Sequence, residues 1–273
     1  ATLNLHAMNA IKGLPRPSKL TFSYGRALQQ SCLKAWQGKP ENVRQAQWAL
    51  LERAHANGMA AKGQYEKGIK FVRKLFVGGN WKSNGDASFS TEFPKTILNQ
   101  LKHNKDSVDV VVAPTNLHLT TVKEILTGNV AVATQNISLT GMGAYTGELA
   151  VQQVVDLGIK YTLVGHSERR SLYKETDADV AKKSSEALNA GVAVILCIGE
   201  SLAEREAGKT DEVNARQLAA VRKLVSNWDQ VVIAYEPVWA IGTGKTATPE
   251  MAQAAHSSIR AWVASHLSEG AAE

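Results

Sequence analysis

From residue 75 onward the chain alternates between two rhythms. Short β-branched runs, apolar at nearly every position, give way to stretches whose apolar residues recur every three or four. The runs predict strands over 75–78, 108–113, 130–133, 162–165, 192–198 and 231–235. The intervening pattern predicts helices over 90–101, 117–126, 180–189, 211–225 and 249–266, with a shorter helical turn at 152–157. A strand apolar on both faces needs a cover on both, and a helix after each strand supplies it, so the sheet should be parallel. Two architectures satisfy this pattern, an open doubly wound sheet and a closed (β/α) barrel.

The first 73 residues follow another pattern. Pro15 and Pro17 keep their stretch out of helix, and a short extended run over 19–24 follows. Helical periodicity begins at Ala27 and reaches Trp36. Gly38 closes that helix and Pro40 suits the first turn of the next, where Val43, Ala46, Leu50 and Ala54 share one face. Gly68 and the lysines around it read as a linker over 67–73.

Charge divides the chain at the same place. Residues 1–73 carry twelve Lys and Arg against three Asp and Glu, and residues 74–273 carry nineteen against twenty-two. The asymmetry suggests two segments of different origin. The basic segment reads as a solvated face or as a phosphate-binding one; no recognition motif accompanies it, so nucleic acid is not expected as a partner. With 44% hydrophobic and 21% charged residues among 273, the composition is that of a globular protein of one or two domains. No apolar run of membrane-spanning length and no secretory signal are found. Cys32 and Cys197 are too few and too far apart for a disulfide framework, and no His/Cys cluster has metal-ligand spacing.

In either architecture reactive residues belong at the carboxyl ends of the strands. Asn80 and Lys82 follow the first strand. A strand continuing through 79–82 would put both on one face, where Lys82 offers a fixed charge to an anionic substrate or a developing oxyanion. His166 follows the fourth strand, with Ser167 placed to cap a short helix; a helix N-terminus disfavours the imidazolium and leaves a neutral ring. Glu236 ends the sixth strand. Between that strand and Pro237-Val238-Trp239 it is expected to lose solvent on loop closure, which raises its pKa toward that of a general base. The stretch 237–246, with proline at one end and Gly242-Thr243-Gly244 at the other, suits a closing lid, and glycine there lets backbone N–H groups approach a phosphate. Each residue alone has a plainer reading: a solvated lysine, a histidine placed by packing, a glutamate paired with Arg or Lys.

Taken in order, Gly79-Asn80-Trp81-Lys82, Gly165-His166-Ser167-Glu168-Arg169-Arg170 and the run from Ala234 to Lys245 resemble the signature segments of the triosephosphate isomerases. Gly143-Ala144-Tyr145-Thr146-Gly147-Glu148 and Cys197-Ile198-Gly199-Glu200 continue the resemblance, which covers 74–273. It implies a (β/α)8 TIM barrel and the interconversion of glyceraldehyde 3-phosphate and dihydroxyacetone phosphate through an enediolate, in glycolysis and gluconeogenesis. Glu236 is then the base, His166 the neutral carbonyl polariser and Lys82 the electrostatic stabiliser. Asn80 positions substrate, and the Gly242 N–H meets the phosphate. The resemblance implies no cofactor and no metal. It implies a homodimer in which Thr146 lies near the partner's active site, and a cytoplasmic location with the plastid stroma as the alternative.

Residues 1–66 have their own resemblance. The run from Leu20 to Gln29, with Leu33-Lys34-Ala35-Trp36 and Ala54-His55-Ala56-Asn57-Gly58, is similar to the C-terminal end of a class I fructose-bisphosphate aldolase. There Gly25 and Arg26 match sugar-phosphate-binding positions, and the Arg fork suits phosphate geometry. The Schiff-base lysine of that family lies outside the match. The isomerase resemblance supplies six strand–helix units and no seventh or eighth, so an incomplete barrel is expected. A piece of an aldolase–isomerase fusion, weak or inactive alone, accounts for both; the alternative is an inactive fragment or a phosphate- or protein-binding module.

Overall fold

The computed structural model describes residues 10, 26–42, 46, 49–50, 53–54, 56–57, 59–60, 74–240, 247–267 and 269–272, the side chains of 26–30 and 269–270 excepted. The chain divides into two compact units, Ala1–Arg73 with Val263–Glu273, and Lys74–Trp262. In the first, helix α1 (Arg26–Trp36) is closed as the pattern predicts: Gln37 and Gly38 turn through left-handed backbone, and Pro40 opens a 3-10 turn, Pro40–Asn42. The Asn42 amide donates to the Trp36 carbonyl at 3.1 Å and seals that turn. The extended run 19–24, Gly25, the Arg26 side chain and the linker 67–73 lie outside the described residues.

The second unit holds one parallel sheet in the order β1-β2-β3-β4-β5-β6. Its strands are β1 Leu75–Asn80, β2 Val108–Ala113, β3 Ala131–Thr134, β4 Tyr161–Val164, β5 Ala193–Ile198 and β6 Val231–Tyr235. Helices follow each: α2 (Ala87–Thr96), α3 (Leu119–Ile125), α4 (Val151–Asp156), α5 (Ser167–Leu172) and α6 (Asp177–Asn189). Then come α7 (Leu202–Glu206), α8 (Thr210–Arg222) and α9 (Pro249–His266). Six strands in sequence order, each with its helical crossover, are an incomplete (β/α)8 barrel.

Both faces of the inner strands are dry, which explains their unbroken apolar character. Val111, Ala113, Ala133, Leu163, Ile195 and Cys197 form one buried cluster, with Phe76, Tyr161 and Ala234 packed against it. The alternate residues Val112, Val132, Val164, Val194 and Leu196 are buried on the opposite face. The outermost strand differs: Leu75 and Val77 of β1 are more than half exposed. Among the described residues, β1 and β6 have no strand on their outer edges.

All six predicted strands are present with ends shifted by at most two residues, and the larger differences lie at helix ends. Helix α2 starts three residues before the predicted position because Asp86 caps it, accepting the Phe89 N–H at 2.7 Å. Helix α6 starts early for the same reason, with Thr176 and Asp179 in a reciprocal capping box. Helix α7 was not expected; it is five residues long, too short for periodicity, and Ser201 with Glu204 caps it in the same way. Strand β1 stops at Asn80 and does not run on through Lys82. Among the described residues no helix is long and apolar enough to cross a membrane.

Candidate active site

The carboxyl end of β4 turns sharply at Gly165, whose φ is +77°. A β-carbon there would meet the Val180 side chain at 2.9 Å and the Cys197 carbonyl at 3.1 Å. Arg170 holds the turn, its Nε donating to the Gly165 carbonyl at 2.8 Å and its guanidinium pairing with Asp177 at 2.6 Å. His166 therefore emerges as the cap of α5. Its Nδ1 accepts the Glu168 N–H at 3.2 Å. This corrects the expected cap: the imidazole takes that place and Ser167 is the first helical residue. With a backbone N–H aimed at Nδ1, Nε2 is the ring nitrogen left to donate.

That Nε2–H meets Glu236 Oε1 at 2.8 Å, and the Ser167 N–H meets Oε2 at 3.0 Å. The carboxylate of β6 is thus held by two donors from the end of β4. The Glu236 N–H is anchored in turn to the Ile198 carbonyl of β5 at 2.7 Å. Burial pushes the Glu236 pKa up, but the His166 and Ser167 hydrogen bonds outweigh it and hold the carboxyl below the ordinary glutamate range. The rise expected from the sequence belongs to loop closure; in the present geometry these donors favour the ionised form. The partner is a histidine and not the Arg or Lys of the plainer reading.

Asn80 and Lys82 meet the site through a turn instead of a shared strand face. The Asn80 side chain accepts the Lys82 N–H at 2.9 Å, and Lys82 adopts left-handed backbone at φ +55°. The Gln135 amide donates to the Lys82 carbonyl at 2.7 Å and to the Ala113 carbonyl at 2.9 Å, fixing this turn to the end of β2. Trp81 packs edge-on to Phe89 and Phe93 of α2. The Lys82 ammonium reaches Glu168 Oε1 at 2.7 Å, and Glu168 Oε2 lies 3.5 Å from His166 Nδ1. Lys82, Glu168, His166 and Glu236 form one connected line of polar side chains.

The end of β5 supports Glu236 from behind. Gly199 lies against its backbone, and the Gln217 side chain of α8 bonds both to the Gly199 N–H and to its carbonyl, at 2.9 and 3.2 Å. Glu200 is fully buried and accepts from the Tyr235 hydroxyl, the Trp239 indole, Arg205 and Thr210. Burial and that carboxylate push the Tyr235 phenol up to about 12. The cluster fixes Trp239 in the 3-10 turn Val238–Ala240 that follows Glu236. A cavity of about 380 Å³ lies on this side of the carboxylate, lined by Ser167, Gly199, Glu236 and Val238 among others.

His166 and Glu236 are thus brought into contact, and Lys82 with Asn80 joins them through Glu168. Residues 241–246, with Gly242 and Gly244, lie outside the described residues, as do Gly25 and the Arg26 side chain. Thr146 is exposed in the loop after β3. Reading the sequence missed Glu168, Gln135, Gly199 and Gln217 as parts of the site. Glu168 carried a signal, since it sits two residues beyond His166 at the start of a helix, and Gly199 lies in one of the segments that carry the resemblance; Gln135 and Gln217 are recognisable only from packing. Among the described residues no three His, Cys, Asp or Glu side chains are grouped as a metal would require.

Comparison with known proteins adds an independent finding. Residues 75–273 match the family described as triosephosphate isomerase, and residues 1–77 match that described as fructose-bisphosphate aldolase class-I. The triosephosphate isomerase of Paracoccidioides lutzii is 53% identical over 203 residues, 74% of this chain and 81% of that protein. That of Emericella nidulans is 51% identical over 203 residues, with the same shares covered. The chloroplastic triosephosphate isomerase of Fragaria ananassa is 48% identical over 195 residues, 71% of this chain and 62% of that protein.

Proposed function

This chain belongs to the triosephosphate isomerase family, and from that premise we propose that Glu236, His166, Lys82 and Asn80 are its working residues, with the Gly242 N–H on the substrate phosphate. The reaction is an intramolecular oxidation–reduction between glyceraldehyde 3-phosphate and dihydroxyacetone phosphate. The observation that carries the assignment is the 2.8 Å contact of His166 Nε2 with Glu236 Oε1. It puts a base and a proton donor side by side at the ends of β4 and β6.

Glu236 takes the proton from the carbon beside the carbonyl. The released electron pair moves onto the carbonyl oxygen and makes an enediolate. The Nε2–H of His166 stabilises that oxygen, the Lys82 ammonium offsets the charge, and Glu236 returns the proton to the neighbouring carbon. In the resting geometry Nε2–H is engaged by Glu236. A substrate oxygen that takes this donor over leaves burial less opposed, and the carboxylate becomes a stronger base on substrate arrival. Closure of 237–246 then excludes water.

The family's homodimer is part of the proposal, with Thr146 near the partner's site. Exposed Met142 and Tyr145 in the same loop support it. The aldolase match over 1–77 supports a second sugar-phosphate contact at Gly25 and Arg26, in a chain joining two consecutive steps. The compartment is the cytoplasm or, as the name of the Fragaria relative suggests, a plastid.

The test is an isomerase assay on the 273-residue chain beside Glu236→Gln and His166→Gln. Turnover that falls about 10²- to 10⁴-fold in Glu236→Gln is expected. Turnover untouched by Glu236→Gln would overturn the assignment, and a parent chain without turnover would sink the reading that it works as an isomerase itself.

A further inference from the structure

We propose that Gln217, on α8, is a positioning residue that sets the place of Glu236 through the peptide of Gly199. The inference rests on the reading of Glu236 as the base.

The geometry runs in three steps. Gln217 is buried, 4% exposed, and spends its amide on one residue: its Oε1 accepts the Gly199 N–H and its Nε2 donates to the Gly199 carbonyl. Gly199 carries no side chain where Glu236 passes; a β-carbon there would lie 1.9 Å from the Glu236 carbonyl oxygen and 2.9 Å from its carbonyl carbon. The Glu236 N–H donates to the carbonyl of Ile198, the residue bonded to Gly199. The backbone of the base therefore rests directly on the peptide that Gln217 grips, and no flexible side chain intervenes to absorb a shift.

Helix α8 is tied to this strand end a second time. Its first residue, Thr210, donates to Glu200. Two anchors, one on Gly199 itself and one on the following Glu200, hold α8 to the end of β5. A buried primary amide is costly unless its bonds are made, and an apolar side chain would fill the same volume without that cost. The amide earns its place by holding Gly199, and through Gly199 the reach of the Glu236 carboxylate to His166 and Ser167. A misplacement of about 1 Å at a base costs about 100-fold in rate.

The experiment uses the whole chain with Gln217→Met, which keeps length and removes both bonds, and Gln217→Glu, which keeps only the acceptor for the Gly199 N–H. Asn214→Leu, one turn earlier on the same buried face of α8, is the control for a purely structural effect. Two readouts are followed: the His166 Nε2–H proton resonance, which reports the contact with Glu236 without turnover, and kcat against KM. Gln217→Met should shift or lose that resonance and lower kcat about 10- to 100-fold, with KM within about twofold. Gln217→Glu should fall between, and Asn214→Leu should leave both as in the parent. A folded Gln217→Met with the resonance and kcat unchanged overturns the proposal. If Gln217→Met fails to fold, the same result in Gln217→Glu overturns it. A parent chain without turnover sinks the isomerase reading alone, and the resonance then decides the role of Gln217.

Discussion

The carbonyl oxygen of Glu236 occupies the space that any side chain on Gly199 would need, with a β-carbon built there falling 1.9 Å away. The clash is with backbone, so no rotamer relieves it. Gly199→Ala must push β6 away from the end of β5 and carry the base with it. A loss of about 100-fold or more in kcat/KM is expected, with a lower unfolding midpoint. A crystal structure or kinetic constants showing Glu236 undisturbed in Gly199→Ala would contradict this.

How much of this was visible in the chain beforehand depends on the distance over which each feature is encoded. Strands such as Val108–Ala113 and Ala193–Ile198 declare themselves because both faces are buried, so composition alone carries the signal. His166 and Glu236 were legible as strand-end residues, but their contact is not local, since 70 positions separate them. The burial of Glu236 can be read from its apolar neighbourhood, whereas the two donors that lower its pKa in this geometry come from the end of another strand and leave no local signal. Gln217 reads as one polar residue on an amphipathic helix, and only the fold turns it toward Gly199. Whether the first strand runs on through Lys82 is not decided by the local pattern; the left-handed backbone there is held by Asn80 and Gln135.

Asn214 makes a prediction of the opposite kind. It is 3% exposed on α8, and among the described residues neither its amide nitrogen nor its oxygen has a hydrogen-bond partner. Burying an amide without bonds costs about 1–3 kcal/mol. Leucine has a similar shape, no polar atoms and a better helix propensity. Asn214→Leu should therefore stabilise the chain by about 1 kcal/mol in urea unfolding. A decrease in stability would show that the amide has partners, such as enclosed water, that matter to the fold.

The two cysteines should differ sharply. Cys197 is 3% exposed inside the sheet, while Cys32 on α1 is half-buried. Burial pushes the Cys197 thiol well up, and the negative charge of Glu236 adds to it against a smaller opposing effect of Arg170. Since the thiolate is the reactive form, Cys197 should resist an aromatic disulfide reagent at neutral pH. In Cys32→Ser the folded chain should release no chromophore, and unfolding in denaturant should release one equivalent. Prompt release from the folded variant would mean that the end of β5 opens readily.

The depressed pKa of Glu236 has a consequence for stability in acid. Burial raises this group, and the His166 and Ser167 donors lower it by more, so its folded value lies below its unfolded one. A carboxyl shifted in that direction stabilises the folded state above the unfolded pKa, and the contribution disappears as pH falls through the folded value. Glu236→Gln lacks the charge and should lack the slope. Asp179 and Glu204 are lowered by their capping partners and give the same sign, but they are common to both proteins and cancel in the difference. Urea unfolding of the parent and of Glu236→Gln, compared between about pH 6 and about pH 3, should show the parent losing relative stability toward acid. If the parent instead gained relative stability as the pH fell, the folded pKa would be raised. The carboxylate would then be poised as a base in the resting protein, before any substrate takes the His166 proton from it.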